Sequence, residues 1–243
     1  MSDVHDRYRM SFDAAAEAYE AARPPYADAA VEWVAERLPL GRVLDLAAGT
    51  GKLTRQLVAL GADVVAVEPG EGMRAVFARA VPGVEVLAGA AEEIPLPDAS
   101  VDAVTVGQAF HWFMPEEALR EMHRVLRPGG GFALLWNVWD EQDPVLHAVS
   151  ELQAPLRPAA AGRSRSWHET DDPGLFGPRA ERTFRHTRTM SADAIVAWTA
   201  STSAVLEASE ADRERVLAGT RAIVGAGPVD VSIGTEVVVA DRR

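Results

Sequence analysis

Two acids stand where they could do chemistry. Asp45 lies in the run Val43-Leu44-Asp45-Leu46-Ala47-Ala48-Gly49-Thr50-Gly51-Lys52-Leu53-Thr54. A short apolar stretch there passes through a glycine-containing turn into a segment with helical spacing. Glycine lets a backbone approach a ligand closely and take unusual dihedrals, and the carboxyl ends of strands in an open parallel sheet are where ligands bind. Small residues in such a turn can also serve packing alone. Glu68 closes the next apolar run, Val64-Val65-Ala66-Val67-Glu68, one strand-helix-strand unit later. A solvated loop acid is the plainer reading of it, but at a strand end a carboxylate can accept hydrogen bonds from the two vicinal hydroxyls of a ribose.

Three nucleotide-type ligands would use such geometry, and the spacing separates them. A dinucleotide fingerprint reads G-x-G-x-x-G. Here Gly49-x-Gly51 is followed by Lys52-Leu53-Thr54, with no third glycine, and Asp45 would face a pyrophosphate unfavourably. A phosphate-binding loop needs Gly-Lys-Ser/Thr, which is absent. Asp45 suits a ligand with a positive amino group. That favours S-adenosylmethionine, which carries a methionyl ammonium and a sulfonium.

The elements that must hold these residues read as an alternating βα series, the signature of a parallel sheet covered on both faces. Strands are expected at Val43 to Leu46, Ala62 to Val67, Val84 to Leu87, Val101 to Val106 and Gly131 to Trp136. Helices are expected at Leu53 to Leu60, Glu71 to Ala80 and Pro115 to Leu126. Further on, Asp143 to Leu152 reads as helical and Glu181 to Met190 as a strand. Ser191 caps a helix expected to run to about Ala208, and Ser209 with Asp212 caps another. Thr235 to Asp241 is a closing strand. Ala154 to Arg179 reads as a long surface connection. The first 40 residues read as two helices parted by Arg23-Pro24-Pro25.

In five stretches the chain resembles the class I methyltransferases, the small-molecule group that includes ubiquinone/menaquinone-type and trans-aconitate-type enzymes. They are Phe12 to Tyr19 with Arg23-Pro24-Pro25-Tyr26, Asp45 to Gly51, Glu68-Pro69-Gly70 with Met73, Gly89 to Asp98, and Gly107 to Phe113 with Leu126-Arg127-Pro128-Gly129-Gly130. The resemblance implies an α/β fold with a doubly wound, mostly parallel seven-stranded sheet, and one domain over residues 1–243. An N-terminal helical lid would span 1–40, a cofactor-binding core 41–140, and substrate-side helices with closing strands 141–243. It implies that Asp45 and Gly49 meet the methionyl end of S-adenosylmethionine, with Gly49 and Gly51 leaving space for it, that Glu68 holds the ribose, and that Ala47 and Pro69 belong to the same cofactor site. Met73, Ala91 and Glu92 would line the adenine, and Gln108 would lie beside the cofactor. Tyr19 and Arg23 would close over it, with Arg23 meeting the cofactor carboxylate or a substrate acid. Ala47 stands where the family often has glycine, which implies a slightly tighter turn.

Methyl transfer is an in-line displacement, so alignment and water exclusion carry most of it, and a base helps only when the nucleophile must lose a proton. His111 is the candidate base, since its ordinary pKa suits proton transfer near neutrality; the alternative is a wall formed with Trp112. Trp112, Trp136, Asn137 and Trp139 are candidates to shape the acceptor pocket. The arginines at 157, 163 and 165 read as a solvated loop, and Val196 to Leu206 as a packed helix. The remaining histidines, among them His123, show no metal-ligand spacing.

Bulk properties agree. The 243 residues carry a formal net charge of −12 and no cysteine, which excludes disulfides and thiolate sites and disfavours a nucleic acid substrate. No apolar run reaches bilayer length and no signal peptide is seen, so a cytoplasmic enzyme acting on a small molecule is expected. A domain that holds the cofactor without transferring methyl, and an NAD-type oxidoreductase, are the alternatives. The acceptor and the oligomeric state are not legible in the chain.

Overall fold

Short β-branched runs alternate with amphipathic stretches, and in the computed structural model, which describes residues 16–156 and 174–243, each becomes its own element. Phe12 to Ala15 and the arginines at 157, 163 and 165 lie outside the described residues, as do His5 and His168. In chain order the elements are α1 (Ala16–Ala22), α2 (Asp28–Arg37), β1 (Arg42–Leu46), α3 (Lys52–Ala59), β2 (Asp63–Val67), α4 (Glu71–Ala80), β3 (Glu85–Leu87) and β4 (Val101–Gly107). There follow α5 (Pro115–Val125), β5 (Leu126–Trp139), α6 (Pro144–Gln153), β6 (Ala180–Met190), α7 (Ala192–Ala200), α8 (Ser203–Leu206), α9 (Glu210–Val224) and β7 (Val229–Asp241). The seven strands form one mostly parallel sheet in the order β3-β2-β1-β4-β5-β7-β6. The four pairs from β3 to β5 are parallel, with Asp45 in register with Ala66 on one side and Thr105 on the other. The order turns back between β1 and β4, the switch point at which a ligand crevice opens in such sheets.

The chain divides into two compact units. Among the described residues, a sheet unit comprises 25–137, 174–184 and 235–243; a helical unit comprises 16–24, 138–156 and 185–234. In the sheet unit, strand alternation sorts the core onto two faces. Leu44, Leu46, Val104, Phe132 and Leu134 face Leu119 and Met122 of α5. Val43, Val64, Ala103, Ala133 and Leu135 face Trp33 and Val34 of α2 and Leu53 and Leu57 of α3. Phe176 corrects the expectation of a purely surface connection over Ala154 to Arg179. It is buried, edge-on to Phe132 at 4.7 Å and to His123 at 5.8 Å.

The helical unit has its own core around Leu146, Ile195, Trp198, Val231 and Ile233. Its caps are those the residue types call for. Asp143 accepts from the N–H groups of Val145 and Leu146 to start α6, Ser191 from Ala194 to start α7, and Ser209 from Asp212 to start α9. The helix expected to run from Ser191 to Ala208 is instead broken after Ala200. Ser201 Oγ donates to the Trp198 carbonyl and Thr202 Oγ1 to the Thr199 carbonyl. Hydroxyls that take up helix carbonyls compete with the helical ladder, and α8 begins afresh at Ser203.

Candidate active site

The turn after β1 carries unusual backbone. Ala47, Gly49 and Gly51 all take positive φ, at 55°, 56° and 85°. Glycine accepts this freely, whereas alanine in the left-handed region costs about 1 kcal/mol. The two glycines serve different ends. A Cβ on Gly51 would lie 2.5 Å from Val81 Cγ2 and 2.9 Å from Phe77 Cδ2, so Gly51 lets α3 pack close to α4. A Cβ on Gly49 would meet nothing within 4 Å, which leaves open space beside the strand end.

Asp45, the last residue but one of β1, is only 1 % exposed. Thr54 Oγ1, from the first turn of α3, donates to Asp45 Oδ2 at 2.5 Å, and Thr105 Oγ1 of β4 donates to Oδ1 at 3.4 Å. Burial raises its carboxyl from the ordinary value to about 7, the two threonine hydroxyls pull it back in part, and the charge of Glu68 adds to the rise. Glu68, 6 % exposed, is held at both oxygens. Oε2 accepts the Gly49 N–H at 2.9 Å and Oε1 the Gly70 N–H at 2.8 Å. Arg74 of α4 donates to the carbonyls of Glu68 and Pro69, and Met73 is buried on the same helix.

At the end of β4, Gln108 also takes a positive φ, of 58°. Its amide donates to the Leu135 carbonyl, and its side chain donates to the Asn137 carbonyl at 2.9 Å. A short 3-10 turn, Phe110–Trp112, follows. Phe110 is buried there, and the half-buried His111 and Trp112 rings stand 4.7 Å apart, tilted by 49°. Asn137, expected at an acceptor pocket, uses both ends of its carboxamide on the chain itself: Nδ2 donates to the Pro25 carbonyl and Oδ1 accepts from Thr235. Trp136 packs against the α5-side core.

The loop between β3 and β4 is tied to α5. Glu92, expected at the adenine edge, accepts the Met114 N–H at 2.8 Å just ahead of α5, while Ala91 beside it is buried. Arg124 donates to both oxygens of Glu121, to Asp98, and to the Ile94 and Leu96 carbonyls.

Tyr19 and Arg23 belong to the helical unit. There Arg23 donates to the Ser201 hydroxyl at 2.9 Å and carbonyl at 2.7 Å, at the C-terminus of α7 where a cation is favoured, and its guanidinium lies 5.3 Å from the centre of the Tyr19 ring. Trp139 lines a cavity of about 550 Å³ in the same unit, with Asp140, His147, Glu151, Gln153 and Thr202. Among the described residues no group of three His, Asp or Glu side chains could hold a metal ion.

The structure thus gathers Asp45, Ala47, Gly49 and Glu68 at the ends of β1 and β2, with Gln108 at the end of β4. The sequence reading missed Thr54 and Thr105. Thr54 was within reach of it, as a hydroxyl in the first turn of the helix after the glycines. Thr105 was not, because only strand register brings it to Asp45.

A family model described as a methyltransferase domain matches residues 44–134. An uncharacterised methyltransferase of Mycobacterium tuberculosis is 53% identical over 135 residues, 55% of this chain and 54% of that protein. The chain therefore spans about half the length of that relative. A methyltransferase-like protein of Schizosaccharomyces pombe is 34% identical over 203 residues, 82% of this chain and 79% of its own. A solved structure of a candidate type II methyltransferase from Anaeromyxobacter dehalogenans is 30% identical, with a TM-score of 0.69 over 90% of this chain and 97% of that one. The chain belongs to the class I family of S-adenosylmethionine-dependent methyltransferases.

Proposed function

We propose that this chain binds S-adenosylmethionine at the ends of β1 and β2 and catalyses methyl transfer to a small-molecule acceptor. The observation that carries the reading is Asp45. A buried carboxyl raised to about 7 gains by meeting a cation, and the turn that follows it leaves open space beside Gly49. The site fits the cofactor on that ground. Asp45 would take the methionyl ammonium, Glu68 the ribose hydroxyls, Met73 and Ala91 the adenine side, and Gln108 the flank at β4.

When bound, the cofactor supplies a methyl group on a sulfonium, already a good leaving group. The protein's share is to align the acceptor and exclude water. His111, on the turn after β4, would take the proton that the acceptor's nucleophilic atom must lose, with Trp112 as the wall beside it. A small molecule is the expected acceptor because a net charge of −12 repels nucleic acid backbones. No helix among the described residues is long and apolar enough to cross a membrane, and a cytoplasmic site of action is the matching proposal.

The test is formation of S-adenosylhomocysteine against a panel of small acids, phenols and amines. With an acceptor in hand, His111→Ala is expected to lower kcat by about 100-fold, the usual scale of general base catalysis, with little change in cofactor affinity. A full-rate variant removes the base role, and no turnover beside tight cofactor binding converts the reading to a binding domain.

A further inference from the structure

The turn between β2 and α4 is held by one residue. Val67, the last residue of β2, gives its carbonyl to the Ala48 N–H at 3.1 Å. The next three carbonyls lie past the strand end, and all three meet Arg74. Its Nη1 donates to the Glu68 carbonyl at 2.8 Å and to the Pro69 carbonyl at 2.7 Å. Its backbone N–H donates to the Gly70 carbonyl at 3.0 Å, in the first turn of α4. Both side-chain bonds come from a single nitrogen, which has two hydrogens to give. Carbonyls past a strand end must find partners, and here a half-buried arginine supplies them.

The peptide unit from Pro69 to Gly70 carries the effect further. It is planar and trans, so its C=O and N–H point opposite ways. Arg74 holds the carbonyl side. The N–H side then faces the Glu68 side chain, and the Gly70 N–H donates to Glu68 Oε1 at 2.8 Å. The other oxygen, Oε2, accepts the Gly49 N–H at 2.9 Å. Hydrogen bonds in series polarise one another, so a cation on the Pro69 carbonyl makes the Gly70 amide a better donor. Arg74 thus acts on the Glu68 carboxylate through one peptide plane.

We propose that Arg74 is a positioning residue for the cofactor's ribose: it fixes the turn that aims the Glu68 carboxylate at the two vicinal hydroxyls. The inference rests on the site reading given above, in which Glu68 meets the ribose. A carboxylate bonds two neighbouring hydroxyls at once only when its plane is held, because each bond demands its own direction. Gly49 and Gly70 hold the two oxygens, and Gly70 is itself held by Arg74. The role needs donors at one point rather than a guanidinium plane, since both side-chain bonds come from Nη1. Lysine, whose ammonium is such a point donor, is therefore expected to stand in for most of it. Methionine, a long side chain without a donor, stands in for none.

Two ligands separate positioning from plain structural support. S-adenosylhomocysteine presents both ribose hydroxyls; its 2′,3′-dideoxy analogue keeps the adenine and the amino-acid tail and lacks them. Calorimetry on Arg74→Met is expected to show about tenfold weaker S-adenosylhomocysteine binding, the scale of one hydrogen bond to a charged group. The analogue should bind this variant as it binds the wild type, and Arg74→Lys should recover most of the loss. Arg74→Met combined with Glu68→Ala should be no weaker than Glu68→Ala alone, because residues that act through one another are not additive. Equal loss for both ligands, additive losses, no recovery in Arg74→Lys, or unchanged S-adenosylhomocysteine binding in Arg74→Met would each overturn the proposal. Failure of the wild type to bind S-adenosylhomocysteine, or unchanged binding in Glu68→Ala, would overturn the site reading itself. Should Arg74→Met not fold, Arg74→Gln, whose carboxamide keeps one donor group, decides the matter by the same comparison of ligands.

Discussion

Two carboxylate clusters lie in the same sheet unit, and they are opposites. Glu121 is met by Arg124 at both oxygens, at 2.7 Å each. The pairing holds its carboxyl below the ordinary value despite partial burial. The same guanidinium reaches Asp98 and the Ile94 and Leu96 carbonyls. Asp45 is more deeply buried, yet its bonds come from neutral groups of Thr54 and Thr105, and the charge that acts on it is another acid, Glu68. Its carboxyl is pushed the other way. A cluster that completes its own charges is scaffold, since removing a partner leaves polar groups stranded. A cluster whose buried acid meets no cation among the described residues is poised for one.

The contrast can be broken at the scaffold end first. Arg124→Ala is expected to cost about 2 kcal/mol in denaturant unfolding, because it strands Glu121 and two loop carbonyls. An effect under about 0.5 kcal/mol would mean that the network is surface decoration. A smaller effect sharpens the ligand end. Ala47→Gly relieves a φ of 55°, worth about 1 kcal/mol, against the greater freedom of glycine in the unfolded chain. A net gain of about 0.5 kcal/mol is expected, with cofactor affinity kept. A net loss would show that the Ala47 methyl group packs in a way that outweighs the strain.

Local pattern made much of this legible. The strand-turn-helix around Asp45, the acid closing β2 and the serine and aspartate caps are short-range features, and they stand where spacing put them. Roles that depend on distant partners were hidden. Gly51 reads as ligand space, and it also makes room for Phe77 and Val81. Glu92 reads as an adenine-side group, and it also accepts the Met114 N–H from 22 residues away. Asn137 reads as pocket lining, and it also holds Pro25 across 112 residues. Phe176 reads as loop but enters the core beside Phe132. In each case register or packing, not neighbouring sequence, decides what the side chain touches.

Protonation of Asp45 tests the central claim most directly. Its carboxyl is raised from 3.8 to about 7, so the ligand-free folded chain keeps a proton that the unfolded chain releases. The stability this gives is complete below about pH 4 and is lost as pH rises through about 7. A cationic tail beside Asp45 would draw the value back down. Calorimetry of S-adenosylhomocysteine binding at pH 7, in buffers of different ionisation enthalpy, should then show release of roughly half a proton, absent in Asp45→Asn, which should also bind about 100-fold more weakly. A binding enthalpy independent of buffer, or the same proton release from Asp45→Asn, would contradict the account.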